Sequence, residues 1–405
     1  MLKITQRLRA ASSYPKWASE LGAIGACAYI AGLAVPGRPS FWLMVLAAGG
    51  LLLFFRQPDK PFHRVPLLFS VLLFLGVTLL SILRSEDIRR SIRLSAPLVP
   101  ALLLFILIAD HFEVPRHTRW LYLTLSAAGL ALSLEVLWNA WRNKWVIPPG
   151  WQNWLSDVRS PLLVVPNDTV FLAVIAPLSL AVLLCQSGKA SKLLAAVSIL
   201  LSIVAVSVIQ SRIATLTIVA SLGIAAALVK PRFAFVGGPA VLAAALILDA
   251  TLGFPLLAKS SVLWRTSDFW NGRIPVWSAA WTGFITSPIL GHGPHTFDYV
   301  SPASIHLRWA HNLYLETLSE QGIVGFIALG LLLYQVSSAA RTNSHRNLPE
   351  VRYLGAGAYA AMTGFCLGAV FELSFLREWV VIVFFSLLGV IARLAWYKQQ
   401  EEGSV

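Results

Sequence analysis

Apolar residues dominate the chain in runs of close to 20, separated by short segments that contain charged residues, prolines and glycines. A helix of about 20 apolar residues crosses the ~30 Å hydrocarbon core of a bilayer. The pattern therefore predicts an all-α polytopic membrane protein with about 12 transmembrane helices. The predicted spans are 19–35, 41–55, 66–83, 94–110, 119–140, 169–185, 193–210, 213–229, 233–250, 312–337, 353–373 and 378–396.

One hydrophilic connection is much longer than the others, and it divides the chain into three parts. Residues 1–250 hold predicted spans one to nine, and residues 251–311 form the long outer loop. Residues 312–405 hold spans ten to twelve and a short tail. A loop of this length without a function is uncommon, so we expect functional residues in it.

The long loop contains a stripe of aromatic residues at helical spacing. Trp277, Trp281 and Phe284 recur at i, i+4 and i+7, and the Ile274-Pro275 pair before them predicts the start of a short helix. Such a helix would lie at the membrane interface with its rings at headgroup depth. Packing onto the transmembrane bundle would use the same stripe, and the pattern leaves both arrangements open.

The composition agrees with a membrane protein and excludes an ordinary soluble enzyme, a disordered chain and a collagen-like chain. Hydrophobic residues make up 57% of the chain and charged residues 13%, against roughly 25% charged residues in soluble domains. The net charge of +13 is typical of a protein that binds nucleic acid, or of a membrane protein that retains Lys and Arg in its cytoplasmic loops. Because the basic residues are scattered between apolar spans, the second explanation is favoured and no nucleic-acid partner is expected.

The basic residues also predict the orientation of the chain. With a cytoplasmic N-terminus, every short inner loop carries Lys or Arg, and the inner segments hold the larger share of the 32 basic residues. Both termini are therefore predicted to be cytoplasmic. The basic residues on the outer side are almost all arginine, whose guanidinium suits phosphate and carboxylate groups. This predicts a polyanionic ligand on the outer side, with pairing to acidic residues or lipid headgroups as the alternative.

His311 is the strongest candidate for chemistry, because it falls at the predicted outer boundary of span ten. A helix N-terminus disfavours protonated imidazole, so a histidine there is expected to be neutral and able to accept a proton. Helix capping is the alternative role. Asn312, Glu316 and Glu320 follow on one helical face. Carboxylates at membrane depth must face protein and find partners there.

Two further motifs lie on the same outer side. Ser211-Arg212 stands between two predicted spans, where an arginine needs a phosphate or a carboxylate partner. The run from Gly291 to His295 predicts a turn with close backbone approach. No Cys, Asp or Glu stands at ligand spacing beside His292 and His295, so no metal site is expected.

Taken in order, these motifs resemble the O-antigen ligase family, within the superfamily shared with O-antigen polymerases and pilin oligosaccharyltransferases. The resemblance spans roughly residues 160–335 in motifs. The residues that carry it are Ser211-Arg212, Gly272-Arg273 followed by Trp277, Gly291-His292-Gly293 followed by Phe297, and His311-Asn312 followed by Leu315-Glu316, Glu320, Gly322 and Gly325. It implies a GT-C-like glycosyltransferase architecture with about 12 spans and one large periplasmic loop containing short interfacial helices.

The resemblance also implies a reaction. O-antigen glycan would pass from undecaprenyl diphosphate to the lipid A–core oligosaccharide, at the periplasmic face of the bacterial inner membrane, without metal or cofactor. His311 would be the general base, and a single displacement would invert the anomeric configuration. The residues implied in binding the diphosphate and the substrates are Arg212, Arg273, Arg265, Arg90, Arg159, Asn312 and Glu316.

Three other functions remain as alternatives. An O-antigen polymerase uses the same donor with another lipid-linked glycan as acceptor, and the sequence barely separates it from a ligase. A pilin oligosaccharyltransferase is disfavoured by the short tail from Tyr397 to Val405. A transporter or lipid flippase would show internal repeats and ionisable residues near the bilayer midplane, whereas the polar residues here concentrate on one side.

Overall fold

The structure is a computed structural model, and it describes residues 16–32, 46, 65–142, 169–185, 188–209, 211–230, 243, 266–301, 309–345 and 348–402. All regular secondary structure within these residues is helical, so the predicted all-α fold is confirmed for this part of the chain. The described helices are α1 (Lys16–Ala31), α2 (Leu68–Leu83), α3 (Ile88–Ser95), α4 (Leu98–His111), α5 (Arg116–Arg142), α6 (Val170–Leu184), α7 (Lys189–Ile209), α8 (Arg212–Val229), α9 (Thr266–Thr286), α10 (Phe297–Val300), α11 (Leu313–Asn343), α12 (Pro349–Phe371) and α13 (Glu378–Glu402).

The apolar helices identify a multi-pass membrane protein. Every predicted span except 41–55 and 233–250 coincides with a described helix, and those two lie outside the described residues apart from Leu46 and Ala243. The total of about 12 spans stays a prediction. Among the described residues, the helical segments long and apolar enough to cross a membrane are Ile88–His111, Arg116–Arg142, Lys189–Ile209, Leu313–Asn343, Pro349–Phe371 and Glu378–Tyr397.

Helix α13 lies at the centre of the bundle. Between Val380 and Leu394 its apolar side chains are buried on every side, as expected for a helix that is hydrophobic all round. Helices α4, α11 and α12 pack against it. Phe365 of α12 stacks on Phe384 of α13 with their ring centroids 4.9 Å apart. This packing fixes the position of the turn between α12 and α13, which contributes to the candidate site.

Charged and amide side chains make contacts between helices at both ends of the bundle, and hydroxyl contacts such as Ser126–Ser179 lie between the ends. At one end Arg119 pairs with Glu350 at 2.8 Å, and Asn343 donates to the Ile391 carbonyl at 3.0 Å. At the other end lie His311 and the turns packed around it, and we call this the His311 end. The alternation of predicted spans assigns the same residues to the same ends, and the predicted orientation of the chain in the membrane stays a prediction.

Helix α11 is broken at Gly322, and a turn of the chain fills the break. Gly322 has φ 67° and ψ −166°, so the helical hydrogen bonds across it are lost. Residues 288–293 replace them with their own backbone groups, which keeps this irregular backbone satisfied inside the protein. The replacement bonds are His292 N–H to Ser319 O (3.3 Å), Gly293 N–H to Glu320 O (2.8 Å), Ile323 N–H to Pro288 O (2.8 Å) and Val324 N–H to Ile289 O (3.3 Å).

Helix α9 differs from the short helix that the sequence predicted. It begins at Thr266 and includes Pro275 in its interior, because proline's fixed φ fits a helix once one backbone hydrogen bond is given up. Val276, Ala279 and Ala280 bury its inner face against Phe297 and neighbouring residues. The aromatic stripe is partly outside, with Trp281 half exposed. Helix α9 thus packs on the bundle alongside α11.

Replacing Gly322 by alanine is expected to destabilise the protein strongly. The backbone conformation there is essentially restricted to glycine and costs other residues roughly 1–3 kcal/mol. A Cβ would also lie 2.3 Å from the Ile289 carbonyl oxygen. Thermal unfolding of the detergent-solubilised protein measures the effect. Gly330→Ala in the same helix is the control, since its Cβ meets nothing within 4 Å; equal melting temperatures for the two variants would contradict the role of the break.

Candidate active site

The start of α11 places His311 as the sequence predicted. Asn312 is the N-cap, and its Oδ1 accepts hydrogen bonds from the N–H groups of Tyr314 and Leu315, each at 3.0 Å. This is the usual way in which an asparagine satisfies a helix N-terminus. His311 precedes the cap with φ 52°, a left-handed conformation that turns its side chain away from the helix axis. Asn312 is therefore occupied in shaping the backbone that presents His311.

Glu372 holds the His311 ring, and Arg273 holds Glu372 and the His311 backbone. Glu372 Oε1 lies 2.8 Å from His311 Nδ1, and Arg273 donates to Glu372 Oε2 at 2.7 Å. Arg273 also donates to the His311 backbone carbonyl at 3.3 Å. The carboxylate bond places the ring proton on Nδ1, so Nε2 is the nitrogen with an available lone pair. No described residue bonds to Nε2.

Glu372 is the charged centre of this group. Its side chain is 4% exposed. Burial alone would raise the pKa of this carboxyl, but the hydrogen bond from His311 and the charge of Arg273 outweigh burial and lower it. Glu372 is therefore ionised at neutral pH. An ionised carboxylate on Nδ1 stabilises positive charge on the imidazole when Nε2 accepts a proton.

A tryptophan and a second arginine lie on the other side of His311. The Trp309 ring is 5.1 Å from the His311 ring, and the Arg377 guanidinium carbon lies 4.6 Å from the Trp309 ring centroid. The Trp309 indole N–H is buried and bonds to none of the described residues. A buried donor without a partner is costly, so this N–H is suited to an oxygen atom of a bound substrate.

Glu316 connects the two chain segments that carry His311 and Glu372. One carboxylate oxygen accepts from the N–H of Ala310 at 3.2 Å. The other accepts a short hydrogen bond from the Ser374 hydroxyl. Ala310 immediately precedes His311, and Ser374 lies two residues after Glu372. Both oxygens of Glu316 are thus used in positioning the site.

Glu320 supports the neighbouring turn rather than the histidine. Its carboxylate accepts from the N–H groups of His295 at 2.8 Å and Phe297 at 3.2 Å. His295 is buried, and burial together with the nearby charge of Arg90 lowers its pKa to about 4. His295 is therefore neutral and structural at physiological pH. His292 instead bonds Glu86, with 2.6 Å between Nδ1 and Oε1.

The remaining arginines predicted from the sequence are distributed differently. Arg90 pairs with Asp298 at 2.8 Å and lies over the Tyr299 ring at 5.1 Å, which ties α3 to α10. Arg212 is the first residue of α8, behind the N-cap Ser211, and its side chain is not among the described residues. Arg265 and Arg159 also lie outside them. Of the predicted set, the structure brings Arg273, Asn312 and Glu316 together around His311.

Sequence reasoning missed Glu372, Arg377 and the specific part played by Trp309. A signal for the first two was present in the turn between the last two predicted spans, Phe371-Glu372-Leu373-Ser374-Phe375-Leu376-Arg377, which contains one acid and one base in an otherwise apolar region. A short turn with this composition at a membrane boundary indicates a partner for other polar residues at the same depth.

Comparison with protein-family models identifies part of the chain. Residues 197–330 match the model described as O-antigen ligase, which is 134 of the 405 residues. The matched segment includes Arg212, Arg273, the turn at 291–297 and His311, so the resemblance found in the sequence is confirmed there. No curated protein matches the chain. Glu372 and Arg377 lie beyond the matched segment, although they complete the group around His311.

Proposed function

We propose, from the O-antigen ligase domain that residues 197–330 carry, that this chain is an O-antigen ligase. It would transfer O-antigen glycan from undecaprenyl diphosphate to the lipid A–core oligosaccharide at the periplasmic face of the inner membrane, with both termini in the cytoplasm. The observation that carries the proposal is His311 at the start of α11, with Nδ1 bonded to the buried carboxylate of Glu372. A ligase or polymerase of this family needs such a base for the acceptor hydroxyl.

His311 acts as the general base through Nε2. As the acceptor oxygen attacks the anomeric carbon of the donor glycan, the new carbon–oxygen bond forms and the bond from that carbon to the diphosphate oxygen breaks. The hydroxyl proton moves to Nε2, and the electron pair of the broken bond leaves with the diphosphate. A single displacement of this kind inverts the anomeric centre. General-base assistance contributes roughly 10²- to 10⁴-fold in rate.

Arginine charge stabilises the leaving diphosphate without a metal ion. Arg273 pairs with Glu372, which bonds His311, and Arg377 lies over Trp309, whose ring packs beside His311. Positive groups fixed in a partly dry site stabilise developing negative charge more than they would in water. We propose that Arg212, Arg265 and Arg159 add to this charge. Arg90 contributes by holding α3 against α10.

The acidic residues of α11 position the site. Glu316 keeps the His311 and Glu372 segments in register through Ala310 and Ser374. Glu320 keeps the 291–297 turn against the break in α11. Asn312 caps the helix. We therefore propose that Glu316 and Asn312 act on the substrates through the backbone they fix.

Complementation of a bacterial strain that lacks its own O-antigen ligase tests the function. Expression of this chain is expected to restore long O-antigen ladders on the lipid A–core, seen by lipopolysaccharide gel. The matched control is His311→Ala at equal membrane abundance, which should leave the core uncapped. An uncapped core with the wild-type chain would reject the ligase assignment, and restored chain length in a polymerase-deficient strain would then assign the polymerase reaction.

A further inference from the structure

Helix α3 presents an unpaired row of arginines at the His311 end. Arg89 and Arg93 stand one helical turn apart on it, and Arg84 closes α2 just before it. All three side chains are exposed. Among the described residues, no carboxylate lies within ion-pair distance of any of them. We call these three residues the α3 arginine row.

The orientation of α3 is fixed by contacts on its other faces. The Ser91 hydroxyl donates to the Pro294 carbonyl at 2.6 Å, and Arg90 pairs with Asp298. Asp87 is the N-cap and accepts from the Arg90 N–H at 2.9 Å. The pKa of Asp87 is lowered by this bond and then by the Tyr299 hydroxyl. The nearest carboxylate is thus occupied, and the arginine row points away from these contacts.

Apolar side chains lie beside the arginine row. Ile88 and Ile92 are 44% and 57% exposed on the adjacent face of α3. Leu79, Leu80 and Leu83 continue this exposed apolar surface along α2. Cationic residues bordering an apolar face are the pattern of a helix placed at the boundary between headgroups and acyl chains. A ligand of this surface has acyl chains and carries phosphate close to them.

We infer that the α3 arginine row binds the phosphate groups of the lipid acceptor. The inference rests on the proposed function, in which the acceptor is a phosphorylated glycolipid in the same leaflet. The donor diphosphate must lie beside His311, where Arg273 and Arg377 provide charge on other elements. Phosphate at α3 therefore belongs to the second substrate. Arginines held at the end of α2 and on the adjoining helix α3 suit several phosphates, because the backbone spacing is set before binding.

Binding measured without donor tests the inference. The full chain is placed in nanodiscs of uncharged lipid and titrated with lipid A–core that carries its phosphates, or with the same glycolipid after phosphate removal. The variant Arg84→Gln/Arg89→Gln/Arg93→Gln is expected to bind the phosphorylated form about 10- to 100-fold more weakly. It should bind the dephosphorylated form as the wild type does. In transfer assays the acceptor KM should rise while the donor KM stays constant.

Arg142→Gln is the matched control, because Arg142 is an exposed arginine at the same end of the bundle on α5. Unchanged binding by the triple variant, or an equal loss in Arg142→Gln, would overturn the inference. An equal loss of affinity for phosphatidylglycerol vesicles would also overturn it, since the row would then be a general lipid anchor. The chain could bind the acceptor through these arginines and yet perform no transfer. That result would support the binding surface and count only against the proposed ligase reaction.

Discussion

Replacing His311 by alanine is expected to lower glycan transfer by about 10²- to 10⁴-fold, while the protein still inserts and accumulates in the membrane. The reason is that alanine removes the proton acceptor but leaves the N-cap bonds of Asn312 to α11 in place. The measurement is the initial rate of transfer from lipid-linked donor to lipid A–core, divided by the amount of enzyme in the membrane.

The control for this variant is His345→Ala. His345 is an exposed histidine beyond the far end of α11, so its removal should leave the rate unchanged. Transfer by His311→Ala within a few-fold of the wild-type rate would exclude His311 as the base. A fall in membrane abundance that accounts for the whole loss of activity would instead assign His311 a role in folding.

The position of His311 could be predicted because it depends on local sequence. The start of an apolar helical run predicted the boundary of span ten at His311, and helix α11 does begin directly after Asn312. The membrane character followed equally directly from the length of the apolar runs. These features need only neighbouring residues, so one sequence is sufficient to find them.

The partners of His311 could not be predicted in the same way. Glu372 is 61 residues away in the chain, and it reaches the histidine only because α12 and α11 pack side by side. Glu316 and Glu320 lie in one helix as predicted, whereas Asn312, predicted on the same helical face, is the extended N-cap before it. The different partners of the two glutamates depend on which turns pack against the helix. Helix periodicity gives the direction of a side chain and not the tertiary contact at its end.

The break in α11 shows a further limit of local pattern. A glycine in an apolar helix, such as Gly322, commonly permits the close approach of a neighbouring helix. The structure shows instead that residues 288–293 supply the hydrogen bonds lost at the break. Both uses require a glycine, and the sequence of α11 alone does not distinguish them.

Glu372→Gln is expected to reduce kcat by about 10²- to 10⁴-fold with little change in KM, on the scale found for carboxylates that orient a catalytic histidine. Glutamine keeps the size of the side chain but loses its charge. Its amide group can donate to Nδ1, which would move the ring proton to Nε2 and remove the lone pair that accepts the acceptor's proton. Rates are measured per mole of folded enzyme, because Arg273 loses the carboxylate of its ion pair in this variant.

Glu86→Gln provides the matched comparison, since Glu86 also bonds a histidine, at 2.6 Å from His292 Nδ1, at the same end of the bundle. That pair lies away from Arg273 and Trp309, so its loss should leave kcat unchanged. Glu372→Asp retains the charge on a shorter side chain and should recover part of the rate. If Glu372→Gln and Glu86→Gln lower kcat equally, or if Glu372→Gln changes only KM, then Glu372 does not position His311 for proton transfer. If kcat falls in Glu372→Gln and not in Glu86→Gln, the Glu372 carboxylate helps to activate His311 as the base. Glu372 would then be a functional residue that lies beyond the segment matched by the family model.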